Sequence, residues 1–397
     1  MESQHLIDRL GLAETDWYQR WNGLPPSTDP VPLPTASEAE RLLVERLGAD
    51  PVDAAAVAAA RPDPRRDPEL WWVLDRCYRQ LSDDMGGVGM LLWPKLPEDL
   101  GATGRFVYLW ALLAVLPQTL EYHRSRGVPQ EVTWATLGNV GEKLRLNRAR
   151  YGEPGLAVVF WFTLHFRGSI FRLGRLEFAM ERLGDSHPFT GHRAGEMTLG
   201  MHIPGEGGPL SAASCRESVE WADRFFPEHF GDLVPADPMY TCTSWLLDPQ
   251  LGDHLPVEAN IVRFGRCFDL VAASPTAAVD GEKDVLQFVF DHIGPYDAAA
   301  LPRDSTLRRV LADGLARGSP GRSARACGDA TDLGGSLTSA VAQRPCTTTL
   351  PDEPGATATS PAVNNHHSGW TDPRPPEPPP VRTPTRHRCD RRRSRRR

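Results

Sequence analysis

The stretch MHIPGEGGPLSAASC, Met201 to Cys215, carries the spacing most suggestive of chemistry: an apolar run, then Gly205, Gly207 and Gly208 with Pro204 and Pro209, then a helix start. A strand feeding such a turn into a helix aims backbone N–H groups and the positive end of the helix dipole at one spot, where an anion fits. Ser211, or Ser214 with Glu217 three residues on, could cap that helix. The same glycines also suit a plain tight turn, so the pattern alone leaves both readings open. His202 lies beside the glycines, and histidine is a residue type suited to proton transfer near neutral pH.

Other chemistries find no support. There is no G-x-S-x-G elbow, no G-x-x-x-x-G-K-[ST] loop and no H-E-x-x-H. The seven cysteines, at 77, 215, 242, 267, 327, 346 and 389, form no C-x-x-C pair and no zinc-spaced cluster, so reduced thiols and no metal are expected. The net charge of −7 is split: from Ser319 onward 13 Arg against 7 acidic residues give +6, leaving −13 for residues 1–318. An acidic body is a poor nucleic-acid binder, because that affinity comes from neutralising phosphates. The longest uncharged apolar run, Phe106 to Pro117, falls short of the roughly 20 residues a membrane helix needs. The N-terminus lacks the basic-then-apolar order of a signal peptide, so a soluble, cytoplasmic protein with no membrane partner is expected.

The elements that would position the loop fall into two regions. Residues 1–165 read as helical: SEAERLLVERLG with Ser37 and Glu40 as a capping box, PELWWVLDRCYRQL, GRFVYLWALLAVLP, and VTWATLGNVGEKLRLNRARYG as one longer helix. After Gly168 strands enter. SIFRLGRLEFAM switches alternation phase at Gly174 and reads as a strand with a glycine bulge. EMTLGMHIP, MYTCTSWLLDP, ANIVRFGRCFDLV and DVLQFVF are further strand candidates. CRESVEWADRFFPEHF, PQLGDHLP and STLRRVLADGLARG are helix candidates. The order predicts a mixed sheet with helices packed on it.

From Ser319 the composition changes: one Trp, no Phe, Tyr, Ile, Met or Lys, and 12 of the 37 prolines. Such a segment buries too little apolar surface to offset chain entropy, so 319–397 is expected to be a disordered tail. Arg without Lys, with Pro, Ala, Gly and Thr, also fits a G+C-rich region translated out of frame.

The loop resembles the [RQ]-x-x-G-x-[GA] pyrophosphate loop of the GNAT superfamily of N-acyltransferases at His202, Ile203, Pro204, Gly205, Glu206 and Gly207. His202 replaces the usual Arg or Gln, and Glu206 would set a negative charge beside phosphates unless it turns outward. RGSIFRLGRLEF, GMHIPGEGGPL, SWLLDPQLGDHLP and NIVRFGRCFDL, in that order, resemble the GNAT-like C-terminal domain of actinobacterial acyltransferase-domain proteins, which carry a helical N-acyltransferase N-terminal domain ahead of it. The resemblance implies an α+β protein: a helical N-terminal domain (1–165), a GNAT-like mixed-sheet domain with flanking helices (166–318), then the tail. It also implies a short Trp-containing strand after LARG, where this chain changes composition instead, so a missing edge strand is expected.

The implied activity is transfer of an acyl group from acyl-CoA, as co-substrate, to a small-molecule amine by direct attack. The rival is a non-catalytic GNAT-like binding module. Direct attack needs a base, an oxyanion donor and a proton for the leaving thiolate. Glu177 or His202 would be the base, against readings as a solvated strand residue and a structural histidine. Ser244 or Tyr240 would protonate the thiolate, Ser244 serving equally as a ladder residue. Ile203, Gly205, Gly207, Gly208, Leu210 and Ser211 would hold the co-substrate. His165 and Arg172, near the domain junction, with Trp245 and Asn260, are the candidates for substrate contact; His165 and Arg172 read as structural first, and Asn260 as the end of a turn.

Overall fold

The computed structural model describes residues 3–12, 15–24, 29–156, 158–185, 189, 191–271, 277–292, 294–318 and 324–328. The N-terminal region is helical: α1 (Ser3–Arg9), α2 (Thr15–Asn22), α3 (Ala36–Glu45), α4 (Pro51–Ala59), α5 (Pro68–Asp83), α6 (Gly101–Ser125), α7 (Gln130–Leu137), α8 (Asn139–Tyr151) and α9 (Val159–Arg167). Helix α3 opens on a capping box at Thr35 and Glu38, two residues ahead of the expected Ser37 and Glu40. Both pairs share the S/T-x-x-E spacing, and the helix takes the first one after Pro34. The expected single helix at 132–152 is two, divided at Gly138. Helix α6 is nearly apolar all round because it is the centre of the bundle, with Phe106, Trp110, Leu112 and Val115 fully buried. By length and composition residues 98–125 could cross a membrane, but 67% of the apolar window is buried inside the protein.

The second region is a six-stranded mixed sheet in the order β1-β2-β3-β4-β6-β5: β1 (Ile170–Leu173), β2 (Leu176–Arg182), β3 (Met197–His202), β4 (Tyr240–Ser244), β5 (Asp269–Val271) and β6 (Ala324–Gly328). Helices α10 (Ala212–Phe230), α11 (Leu251–His254), α12 (Asn260–Gly265), α13 (Ala277–Val289) and α14 (Thr306–Ala316) flank it. Alternation sends Phe171, Leu173, Phe178, Met180, Leu199 and Met201 to one face, where they pack with Val219, Ala222, Phe225 and Phe226 of α10. The other face meets the helical region.

Three expectations are corrected. The phase switch at Gly174 is a two-residue hairpin, not a bulge: Leu173 pairs with Leu176, and Gly174 takes the positive φ of 73° favoured at such a turn. Residues 260–265 and 284–289, read as parts of strands, belong to helices α12 and α13; their short apolar runs fit either period, and packing around Trp245, Leu286 and Leu311 selects the helix. Residues 324–328, read as part of a disordered tail, form β6. That strand is interior, pairing with β4 over five residues and β5 over three. The remainder of 319–397 lies outside the described residues.

Candidate functional site

The antiparallel register of β1, β2 and β3 sets Arg172 opposite Glu177 and Glu177 opposite His202, one row across three strands on the face away from α10. Helices α8 and α9 of the helical region roof this row with Asn139, Glu142, Trp161 and His165. Glu177 is buried. Asn139 Nδ2 donates to its Oε1 at 2.7 Å, and Arg172 Nη1 stands 3.9 Å away. Burial pushes the Glu177 carboxyl up, opposed by the Asn139 hydrogen bond and by the charges of Arg172, His202 and Lys143. Such a group is shielded from solvent and ties the row to α8.

His165 is fully buried, and burial pushes its imidazole down to about 3. Its Nε2 lies 3.9 Å from Glu177 Oε2, a contact of a neutral ring and not an ion pair. Its Nδ1 faces the Trp161 carbonyl at 3.1 Å. His165 therefore sits behind Glu177. His202 differs: its side chain is 31% exposed, with the Trp161 ring edge-on at 4.5 Å between centroids. Of the titratable pair expected to supply a base, His202 is the one solvent reaches.

The loop after β3 is built by ties from both domains. Gly205 N–H donates to Glu142 Oε1 on α8 at 3.0 Å. Arg172 Nη2 and Arg175 Nη1 donate to the carbonyls of Glu206 and Pro204, at 2.8 and 2.9 Å. Arg145 on α8 grips the Glu206 carboxylate at 2.7 and 3.2 Å, so the charge expected to oppose phosphates is turned away. Gly207 and Gly208 take φ of 112° and 84°, and a Cβ on Gly207 would collide with the Arg172 guanidinium. Ser211, the earlier of the two expected caps, accepts from Ser214 N–H at 3.1 Å. The amides of Ala212 and Ala213 have no intrahelical acceptor, as at any helix start, and open toward the loop.

The parallel ladder between β3 and β4 holds only Leu199 with Tyr240 and Gly200 with Thr241, and then the strands part. A narrow apolar cleft of about 350 Å³, open mouth included, lies on the α10 side of this parting, lined by Leu176, Met201, Leu210, Cys215, Asn260 and Phe264 among others. Asn260, expected to end a turn, is the first residue of α12 and lines this cleft. Ile203 is partly buried against the sheet core.

Other expected residues are engaged elsewhere. Tyr240 is buried, and its hydroxyl donates to Asp223 Oδ1 at 2.6 Å; burial and that carboxylate push its pKa far up. Ser244 Oγ accepts from Leu246 N–H at 3.1 Å and caps the short 3-10 helix Trp245–Leu247. Trp245 is core, packed with α12 to α14. Arg172 ties the loop and the row. Among the described residues no group of three or more His, Cys, Asp or Glu is placed for a metal.

Sequence reasoning missed Asn139, Glu142, Arg145, Trp161 and Glu181. The first four lie on helices whose contact with the sheet no local pattern reports. Glu181 had a signal: it shares the alternation phase of Glu177.

The family models described as N-acyltransferase N-terminal domain and GNAT-like C-terminal domain match residues 38–168 and 170–327. No curated protein matches. Among solved structures, an acyltransferase in complex with decanoyl-CoA and teicoplanin superposes with a TM-score of 0.74 at 34% identity, over 83% of this chain and 99% of that one. An acyltransferase mutant in complex with octanoyl-CoA, and an acyltransferase in complex with CoA and 10C-teicoplanin, match with the same identity, coverage and score.

Proposed function

Because this chain belongs to the acyltransferase family built from an N-acyltransferase N-terminal domain and a GNAT-like C-terminal domain, we propose that it transfers a medium-chain acyl group from acyl-CoA to the amine of a small-molecule acceptor. The donor follows the octanoyl- and decanoyl-CoA of the similar enzymes, and their teicoplanin is the guide to the acceptor class.

One observation carries the reading: His202, the exposed imidazole of the row, ends β3 where β3 and β4 part beside the glycine loop. The loop amides and the start of α10 receive the pyrophosphate, and the cleft beside Met201 and Leu210 takes the apolar arm of the co-substrate. Leu199 N–H donates toward β4, to Met239 O at 3.0 Å. Alternation turns the Ile203 N–H the same way, past the last ladder pair, where it can donate to the oxygen that becomes negative. His202 accepts the amine proton as nitrogen attacks the thioester carbon, so no covalent enzyme intermediate is needed.

The test is thiol release from octanoyl- and decanoyl-CoA with teicoplanin as first acceptor, with the product mass read alongside. An acylated amine supports the proposal. Calorimetric CoA binding without thiol release for any amine tried would favour a binding module, and no CoA binding at all would overturn both.

A further inference from the structure

We infer that Glu181 is the positioning residue that keeps the His202 proton on Nε2, so that Nδ1 is the nitrogen that takes the proton of the attacking amine. The inference rests on the acyl-transfer reading above and deepens it. His202 Nε2 is buried and has no hydrogen-bond partner, while the ring as a whole is 31% exposed. The accessible edge is therefore the other one. Facing Nε2 at 3.4 Å is Glu181 Oε1. The register partner of His202, Glu177, is held by Asn139.

The approach of Glu181 has been given room. Glu181 stands opposite Thr198, two rows from His202, and its carboxyl group lies across β3 over Gly200, where any Cβ would collide with it. A buried ring nitrogen facing a carboxylate is most stable carrying the proton, and the carboxylate then steadies the imidazolium that forms in the reaction. The 3.4 Å gap is the kind that closes when substrate packs on the ring.

In the step itself, the amine lone pair forms the C–N bond, the C–S bond breaks and its electron pair leaves on sulfur. The amine proton passes to His202 Nδ1 and is then delivered to the thiolate, directly or through water, so the enzyme returns to its starting state.

The tautomer can be read without substrate from two-bond ¹H–¹⁵N NMR of the full chain labelled with ¹⁵N-histidine, the His202 signals being assigned by their loss in His202→Gln. The expected result is the Nε2–H form, with a shift toward Nδ1–H in Glu181→Ala. An Nδ1–H form in the unmodified protein overturns the inference whatever the acceptor is. With decanoyl-CoA and teicoplanin, Glu181→Ala should lower kcat about 10- to 100-fold and Glu181→Gln about tenfold, with KM for either substrate within about twofold. Gly200→Ala, which displaces the carboxyl group, should reproduce the kcat loss, and circular dichroism checks its fold. Full kcat in a folded Glu181→Ala beside an inactive His202→Ala would overturn the role of Glu181 alone. Full kcat in His202→Ala would overturn the base assignment itself.

Discussion

His202 Nε2 lies 3.4 Å from Glu181 Oε1, although the residue paired with His202 in the β2–β3 register is Glu177. The two carboxylates of one strand face thus have different partners: Glu177 binds the helical region through Asn139, and Glu181 faces the one exposed imidazole of the row. This division gives two carboxylates of one strand different surroundings, one sealed under α8 and one beside the His202 ring.

Replacing His202 by Ala should lower kcat by about 10² to 10³ while CoA affinity by calorimetry stays within about twofold. The ring sits at the sheet's end and not in the core, so the thermal midpoint should move only slightly.

Gly207→Ala should raise the KM for acyl-CoA more than tenfold. The position needs φ of 112°, which an L side chain rarely adopts, and the new methyl would strike Arg172, so the loop must rebuild. Steady-state kinetics against acyl-CoA concentration checks it, with Glu206→Gln as the contrast.

For Glu206→Gln the expected change in CoA affinity is less than about threefold. The carboxylate is bound by Arg145 and turned from the amides, and a partly exposed pair of this kind contributes up to about 1 kcal/mol. A large gain in CoA affinity would show that Glu206 does oppose the phosphates.

Acid should unfold the protein through His165 and His123. Burial holds their folded values at about 3 and about 4, below the ordinary 6.5. Above pH 6.5 both are neutral in the folded and unfolded states; as pH falls below 6.5 the unfolded chain takes up the protons first, so stability is lost through the window down to 4 and 3. Each contributes on the order of 3 kcal/mol by pH 4. Denaturant midpoints measured from pH 7 to 4 should fall steeply in the wild-type protein and less steeply in His165→Gln.

Ending the chain after Gly328 should leave the melting temperature and CoA binding within error, whereas ending it after Gly318 should unfold the sheet domain. Removing β6 strips β4 and β5 of the strand both pair with. Circular dichroism of the two truncations decides the point and fixes where the structured domain stops.

The linear sequence determined the α+β order, the helical N-terminal region, the strand–glycine loop–helix unit and the family, because each is encoded by local periodicity, caps and contiguous motifs: Ser211 capping α10 and the glycines at 207 and 208 are examples. It could not decide short apolar runs such as 260–265 and 285–290, where four or five residues satisfy either period and only packing chooses. The site was half legible. His202 and Glu177 could be named, but that Glu177 is sealed under Asn139, that Arg145 turns Glu206 aside, that Tyr240 is spent on Asp223 and that Glu181 reaches His202 over Gly200 depend on strand register and on helices far away in the chain. Burial and cross-strand pairing, which decide what a carboxylate or an imidazole does, are set only when the helices pack on the sheet.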